Sequence, residues 1–135
     1  MKEINILNPR KFILAGKAEF TIKNTETGNG YHYKVTKAKS GNIYFVEVKG
    51  GEFTAWTYAG FLNDELCFVR GKKGKCTVKD PAIKGLLYAL KREVELPTPM
   101  FMHHNGRCAC CGKRLLDEAS IILGYGPVCA KKYLI

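Results

Sequence analysis

The sequence predicts an α+β chain: an antiparallel β-meander of about five strands with one packed helix, followed by a small cysteine-rich unit. Three observations predict it. Short runs alternating between apolar and polar residues recur between residues 20 and 69, with Gly- and Asn-rich turns between them. A single apolar stripe of helical period follows, and four of the six cysteines then crowd residues 108–129.

Residues 1–16 are mixed and weakly patterned. Phe20 to Lys23 is a first short alternating run, ended by Asn24 and the turn from Thr25 to Gly30. In that turn Asn and Gly tolerate the positive φ that other residues avoid. Tyr31 to Thr36 alternates aromatic or branched with polar side chains, as a half-buried strand does. Ser40-Gly41-Asn42 turns the chain, Ile43 to Val48 forms a third strand, and Gly50-Gly51 ends it. Phe53 to Leu62 makes a fourth strand before Asn63-Asp64, and Leu66 to Val69 a fifth. Spacings of about 10–12 residues with tight turns predict neighbouring antiparallel strands.

Asp80-Pro81 then starts a helix: Asp caps free N–H groups and Pro fits the first turn. Ile83, Leu86, Leu87 and Leu90 fall on one stripe, which lies on the sheet, and the helix is expected to end near Glu93. Pro97 and Pro99 read as a stiff linker. The expected division is a β-rich domain over 1–96, a linker over 97–102 and a cysteine-rich finger over 103–135.

The chain of 135 residues suffices for one core and a small appended unit. No signal-peptide pattern follows Met1 and no apolar run approaches 18 residues, so a cytoplasmic protein is expected. In such a reducing compartment clustered thiols read as metal ligands rather than disulfides.

Cys108-Ala109-Cys110-Cys111-Gly112 contains Cys-x-x-Cys-Gly, the pattern of a zinc knuckle. Its tight turn lets backbone N–H groups point at the sulfurs, and the Gly relieves crowding. Gly126-Pro127-Val128-Cys129 puts a third thiol in the first turn of a short helix, where the thiolate is favoured. The ligands Cys108, Cys111 and Cys129 thus outline a treble-clef or zinc-ribbon-like finger holding Zn²⁺. The usual fourth position is Lys132, which does not serve. The candidates are His103 and His104, then Cys110 and Asp117; His104 is preferred for its shorter loop. Cys110, lying between two ligands, is expected to point away. Cys67 is read as a small buried hydrophobe and Cys76 as a loop residue.

The run from Gly106 to Leu115, with Asp117, Ser120 and Gly124-Tyr125-Gly126-Pro127-Val128-Cys129, resembles the family of unknown function DUF6011. That family's pattern is roughly Gly-x-Cys-x-x-Cys-Gly-Arg-x-Leu-Thr-Asp-Pro-x-Ser, then Gly-x-Gly-Pro-x-Cys. The likeness covers about residues 106–131. Lys113 stands for Arg, Leu116 for Thr and Glu118 for Pro, and none of these is an expected ligand. The resemblance implies zinc binding and a phage-like origin, but no reaction.

The net charge is +10. Residues 1–102 hold 17 Lys/Arg against 10 Asp/Glu, and residues 103–135 hold 5 against 2, so the excess is not confined to a tail. Such a balance favours polyanions, nucleic acid first. The candidate phosphate contacts are Arg70, Lys72, Lys73 and Lys75 in a Gly-rich run, with Arg107, Lys113, Arg114 and Lys131 on the finger. The run is not a P-loop, since the Gly-x-x-x-x-Gly-Lys-Ser/Thr frame is missing. Aromatics at period two, among them Tyr31, Tyr33, Trp56 and Tyr58, are read mainly as core, with one set under the helix. A stacking platform for single-stranded nucleic acid is the competing reading. No Ser–His–acid set, carboxylate pair or nucleotide fingerprint is visible, so no enzyme is expected. The expected function is non-catalytic nucleic-acid binding by a small basic zinc protein. The alternative is a protein–protein module that inhibits a host factor or defence system.

Overall fold

The computed structural model describes residues 3–134 and is an α+β fold built on one six-stranded antiparallel sheet. The elements are α1 (Pro9–Ile13), β1 (Lys17–Asn24), β2 (Gly30–Lys37), β3 (Tyr44–Gly50), β4 (Phe53–Leu62), β5 (Phe68–Val69), α2 (Pro81–Leu90), β6 (Met100–His104), α3 (Glu118–Leu123) and α4 (Pro127–Tyr133). The strand order is β5-β4-β3-β2-β1-β6. The first five strands form the expected meander, and β6 returns to pair with β1.

The turns are built by the residues that signalled them. The Asn24 carboxamide accepts hydrogen bonds from the Glu26 and Thr27 N–H groups, which closes the β1–β2 turn. Gly50 and Gly51 both have positive φ at the β3–β4 turn, and a Cβ on Gly51 would stand 2.9 Å from the Tyr31 ring.

Alternation sorts the strand side chains onto two faces. Phe20, Ile22, Tyr33, Val35, Val46, Val48, Ala59 and Leu62 are buried beneath the helices. On α2, Ala82, Ile83, Leu86, Ala89 and Leu90 are buried, whereas Leu87 is only partly so. The Tyr33 hydroxyl donates to the Ala82 carbonyl at 2.6 Å and ties the first turn of α2 to the sheet centre. Tyr31 and Tyr33 therefore lie on the helix-covered face, with Phe20 stacked on Tyr33. Phe45, Trp56, Tyr58 and Phe61 face the opposite way.

Several expectations are corrected. Asp80 precedes α2, but its carboxylate accepts from the Thr77 N–H at 2.7 Å instead of capping the helix. The helix ends at Leu90, not near Glu93. The weakly patterned N-terminus holds α1, started by an Asn8 side-chain cap and Pro9. Five residues are too few to display a helical period, although Asn-Pro is the same cue as Asp-Pro.

The largest correction concerns residues 97–102, read as a linker. Met100–His104 is a strand along the outer edge of β1, with Met102 fully buried. An unpaired β1 edge would expose a row of backbone donors and acceptors, and β6 satisfies them. The cysteine-rich segment also shares the sheet's buried cluster, through Phe12, Cys108, Ala109, Leu115 and Tyr125. Cys67 and Cys76 exchange their expected roles. Asn63 holds the Cys67 N–H in an exposed turn, while Cys76 bonds to Ala59 beside β4 and is fully buried. Burial pushes the Cys76 thiol up to about 11.

Candidate metal centre

The knuckle grows out of a short hairpin. Arg107 and Arg114 pair across it, and the Cys108 N–H donates to the Lys113 carbonyl at 2.8 Å. Gly112, with φ of 77°, makes the turn, and its N–H bonds back to the Cys108 carbonyl at 2.9 Å. The sheet fixes this hairpin in place, since the Lys17 N–H at the start of β1 donates to the Ala109 carbonyl at 2.7 Å.

The third thiol arrives through two helices. Asp117 caps α3, its carboxylate accepting from the Ser120 N–H at 3.1 Å and the Ser120 hydroxyl at 2.8 Å. Gly124, with φ of 84°, ends α3 in the left-handed conformation. A Cβ there would lie 2.8 Å from the Phe12 ring, so this backbone packs directly against α1. Gly126 and Pro127 then start α4 and carry Cys129 into its first turn. The Asp, Ser and Gly-x-Gly-Pro positions of the sequence pattern are thus the caps and turns that aim the third thiol.

The sulfurs of Cys108, Cys111 and Cys129 lie within 4.8 Å of one another, so these three cysteines could hold a metal ion. Burial raises the Cys108 thiol, but the N–H groups of Gly126, Cys111 and Cys110 aimed at its sulfur outweigh burial and hold it below its ordinary value. That is the electrostatic preparation a thiolate ligand needs. Burial, with the Cys111 and Cys108 thiols alongside, pushes Cys129 up to about 11. A bound cation reverses such mutual discouragement of neighbouring thiolates.

His104, the preferred fourth ligand, is not brought into the group formed by the three thiols. Its Nδ1 accepts from the Gly106 N–H at 2.9 Å and its Nε2 faces the Ile121 carbonyl at 2.5 Å, so both ring nitrogens are engaged. Burial holds the imidazole below its ordinary pKa and therefore in the neutral form that this pairing requires. His104 fastens β6 to α3. His103 is engaged as well, with Nδ1 3.0 Å from the His104 carbonyl and Nε2 3.2 Å from the Glu3 carboxylate. Asp117 is occupied as a cap. Cys110 lies outside the 4.8 Å group but is not turned to solvent: burial and the neighbouring Cys108 and Cys129 thiols push it up to about 12. His104→Ala is accordingly expected to keep full metal stoichiometry while losing about 1–3 kcal/mol of stability through its two orphaned partners. Metal analysis beside a urea melt checks both, and loss of metal with stability retained would restore His104 as a ligand.

The candidate phosphate-binding cations are all exposed. They form two groups at opposite sides of the sheet. Arg70, Lys72, Lys73 and Lys75 occupy the loop after β5, which the Arg70 Nε closes on the Gly74 carbonyl at 3.1 Å. Arg107, Lys113 and Arg114 flank the knuckle beside β1, and Lys131 sits on α4. Arg107 also joins Lys17, Lys34 and Thr36 around a groove of about 190 Å³, which links knuckle and sheet surfaces. Lys17 carries no local signal for this groove, because a strand residue reaches the knuckle only once β1 is docked on it. No described helix is long and apolar enough to cross a membrane.

No curated protein and no solved structure matches the chain. The segment 98–134, comprising β6, the knuckle hairpin, α3 and α4, matches the model of the family of unknown function DUF6011 and is the part of this chain similar to that family.

Proposed function

We propose that the chain is a small basic accessory protein of phage type that uses a structural Zn²⁺ to shape its C-terminal unit and binds nucleic acid without catalysis in the host cytoplasm. Three thiols at close range are a soft donor set suited to Zn²⁺. The ion would hold the knuckle and α4 together, a task for which this short segment has little apolar core of its own. With His103, His104 and Asp117 engaged elsewhere, the fourth position falls to Cys110 or to solvent.

The observation that carries nucleic-acid binding is the excess of 22 Lys/Arg over 12 Asp/Glu, with exposed cations on both the β5 loop and the knuckle. Fluorescence anisotropy of the zinc-loaded protein with single strands, duplex DNA and RNA, at several salt concentrations, tests it. Affinity is expected to fall linearly in log salt. The triple variant Lys72→Ala, Lys73→Ala, Lys75→Ala is expected to weaken single strands and duplexes alike and to flatten the salt slope. Absence of binding at low salt would end this reading.

A second reading, capture of a host protein, is favoured by one feature. A groove of about 470 Å³ between α2 and the β5 turn is lined by apolar side chains, among them Leu66, Phe68 and Leu87, together with Arg10, Glu65 and Lys91. Stoichiometric capture of one protein, indifferent to nuclease, would support it.

A further inference from the structure

The face of the sheet opposite α1 and α2 carries four aromatic side chains, Phe45, Trp56, Tyr58 and Phe61. Phe45 on β3 is 40% exposed and its ring centroid lies 6.4 Å from that of Tyr58 on β4. Phe61 is the register partner of Phe45, and Trp56 stands beside them with the Lys34 Nζ 4.3 Å from its ring centroid. Core packing does not account for these rings, because the buried cluster is formed by the residues alternating with them.

Cations border the four rings on both sides. Toward β5, the Arg70–Lys75 loop turns against them, and a Cβ on Gly71 would stand 3.2 Å from the Phe61 ring. Toward the knuckle lies the groove shared by Lys17, Lys34 and Arg107. Lys49 is exposed on the same face. Three acids also lie there: Glu19 and Glu47 flank Lys34 in the strand register, and Glu3 pairs with Lys23 and His103. Glu19 and Glu47 offset Lys34, and the positive excess lies with Lys17 and Arg107 at one rim, where Glu19 also lines the groove, and with the Arg70–Lys75 loop at the other.

We propose that this open face is a stacking platform for single-stranded nucleic acid. Bases lie on Phe45, Trp56, Tyr58 and Phe61, while the backbone reaches the rim cations. The inference rests on the nucleic-acid reading above and narrows it, since a duplex offers no free base faces to these rings. It also moves the centre of recognition from loops and finger to the sheet.

Trp56 is the single tryptophan, so its fluorescence reports occupancy of the face without any substitution. Zinc-loaded full-length protein is titrated with oligothymidylate and oligouridylate of about 12 nucleotides and with a duplex of equal length. Tryptophan emission and anisotropy are followed together. Single strands are expected to quench Trp56 at the concentration where anisotropy saturates, and the duplex is not. Phe45→Ala and Tyr58→Ala are each expected to weaken single-strand binding about tenfold and leave duplex binding unchanged. Single-strand binding without quenching, and indifferent to both substitutions, would overturn the platform while leaving nucleic-acid binding intact. No binding of any oligonucleotide at low salt would overturn the underlying reading and the platform with it.

Discussion

Replacing Cys108 with serine is expected to abolish stoichiometric zinc binding and to loosen the segment from Gly106 to Leu134. Cys108 is the fully buried thiol of the three, and its sulfur receives N–H groups from Gly126, Cys111 and Cys110. It therefore joins knuckle to α4 even before a metal is considered. Structural zinc contributes on the order of 10–16 kcal/mol in isolated finger peptides. Loss of one thiolate is expected to lower affinity more than about 100-fold. Competition with a chromophoric chelator measures the affinity, and hydrogen exchange locates the loosened residues. Protection in β2, β3 and β4 is expected to persist, because their core lies under α2. Cys67→Ser is the matched control, exposed and distant in the fold from the three thiols. Cobalt in place of zinc also tests the fourth position: charge-transfer intensity that drops by a quarter in Cys110→Ser assigns it to that thiol, and an unchanged intensity assigns it to a nitrogen or oxygen donor. A Cys108→Ser protein that kept one tightly bound zinc would refute the three-cysteine centre.

The second large effect is expected at Phe12, away from any ligand. Its side chain is fully buried, packs edge-on against Phe20 of β1 at 6.1 Å and against Tyr125 at 5.6 Å, and closes on Gly124. One ring thus touches the sheet core and the loop that delivers Cys129. Phe12→Ala is expected to cost about 3–5 kcal/mol, the usual range for deleting a buried aromatic. Urea denaturation measures that cost. A double-mutant cycle with Tyr125→Ala is expected to show about 1 kcal/mol of coupling. A cost below about 1 kcal/mol would mean that sheet and knuckle are joined by other contacts.

Both predictions depend on contacts that join segments far apart in sequence, and the same distinction separates what was legible from what was not. Alternation over Phe20 to Val69 fixes the meander, because a half-buried strand must place apolar side chains at every second position. The stripe from Ile83 to Leu90 marks α2 for the corresponding reason. The Cys-x-x-Cys-Gly and Gly-Pro-x-Cys patterns mark the three thiols, since each encodes its own local turn or helix start.

The tertiary structure decided the rest. Two histidines beside a knuckle look like ligands by spacing alone. Only the pairing of β6 with β1 shows their nitrogens already committed to backbone and to Glu3. The match over 98–134 begins ahead of β6, so the strand belongs with the segment it introduces. Period two likewise says that Tyr33 and Trp56 sit in strands, but not which face receives the helices. The Tyr33 hydroxyl under α2 and the Lys34 amine over Trp56 settle that question. A strand's alternation is a local property of its own residues, whereas the side on which a distant helix docks depends on the whole chain. The sequence by itself therefore determined the meander, α2 and the thiols, and only tertiary packing placed β6 and decided which histidines, lysines and aromatic rings remained free to act.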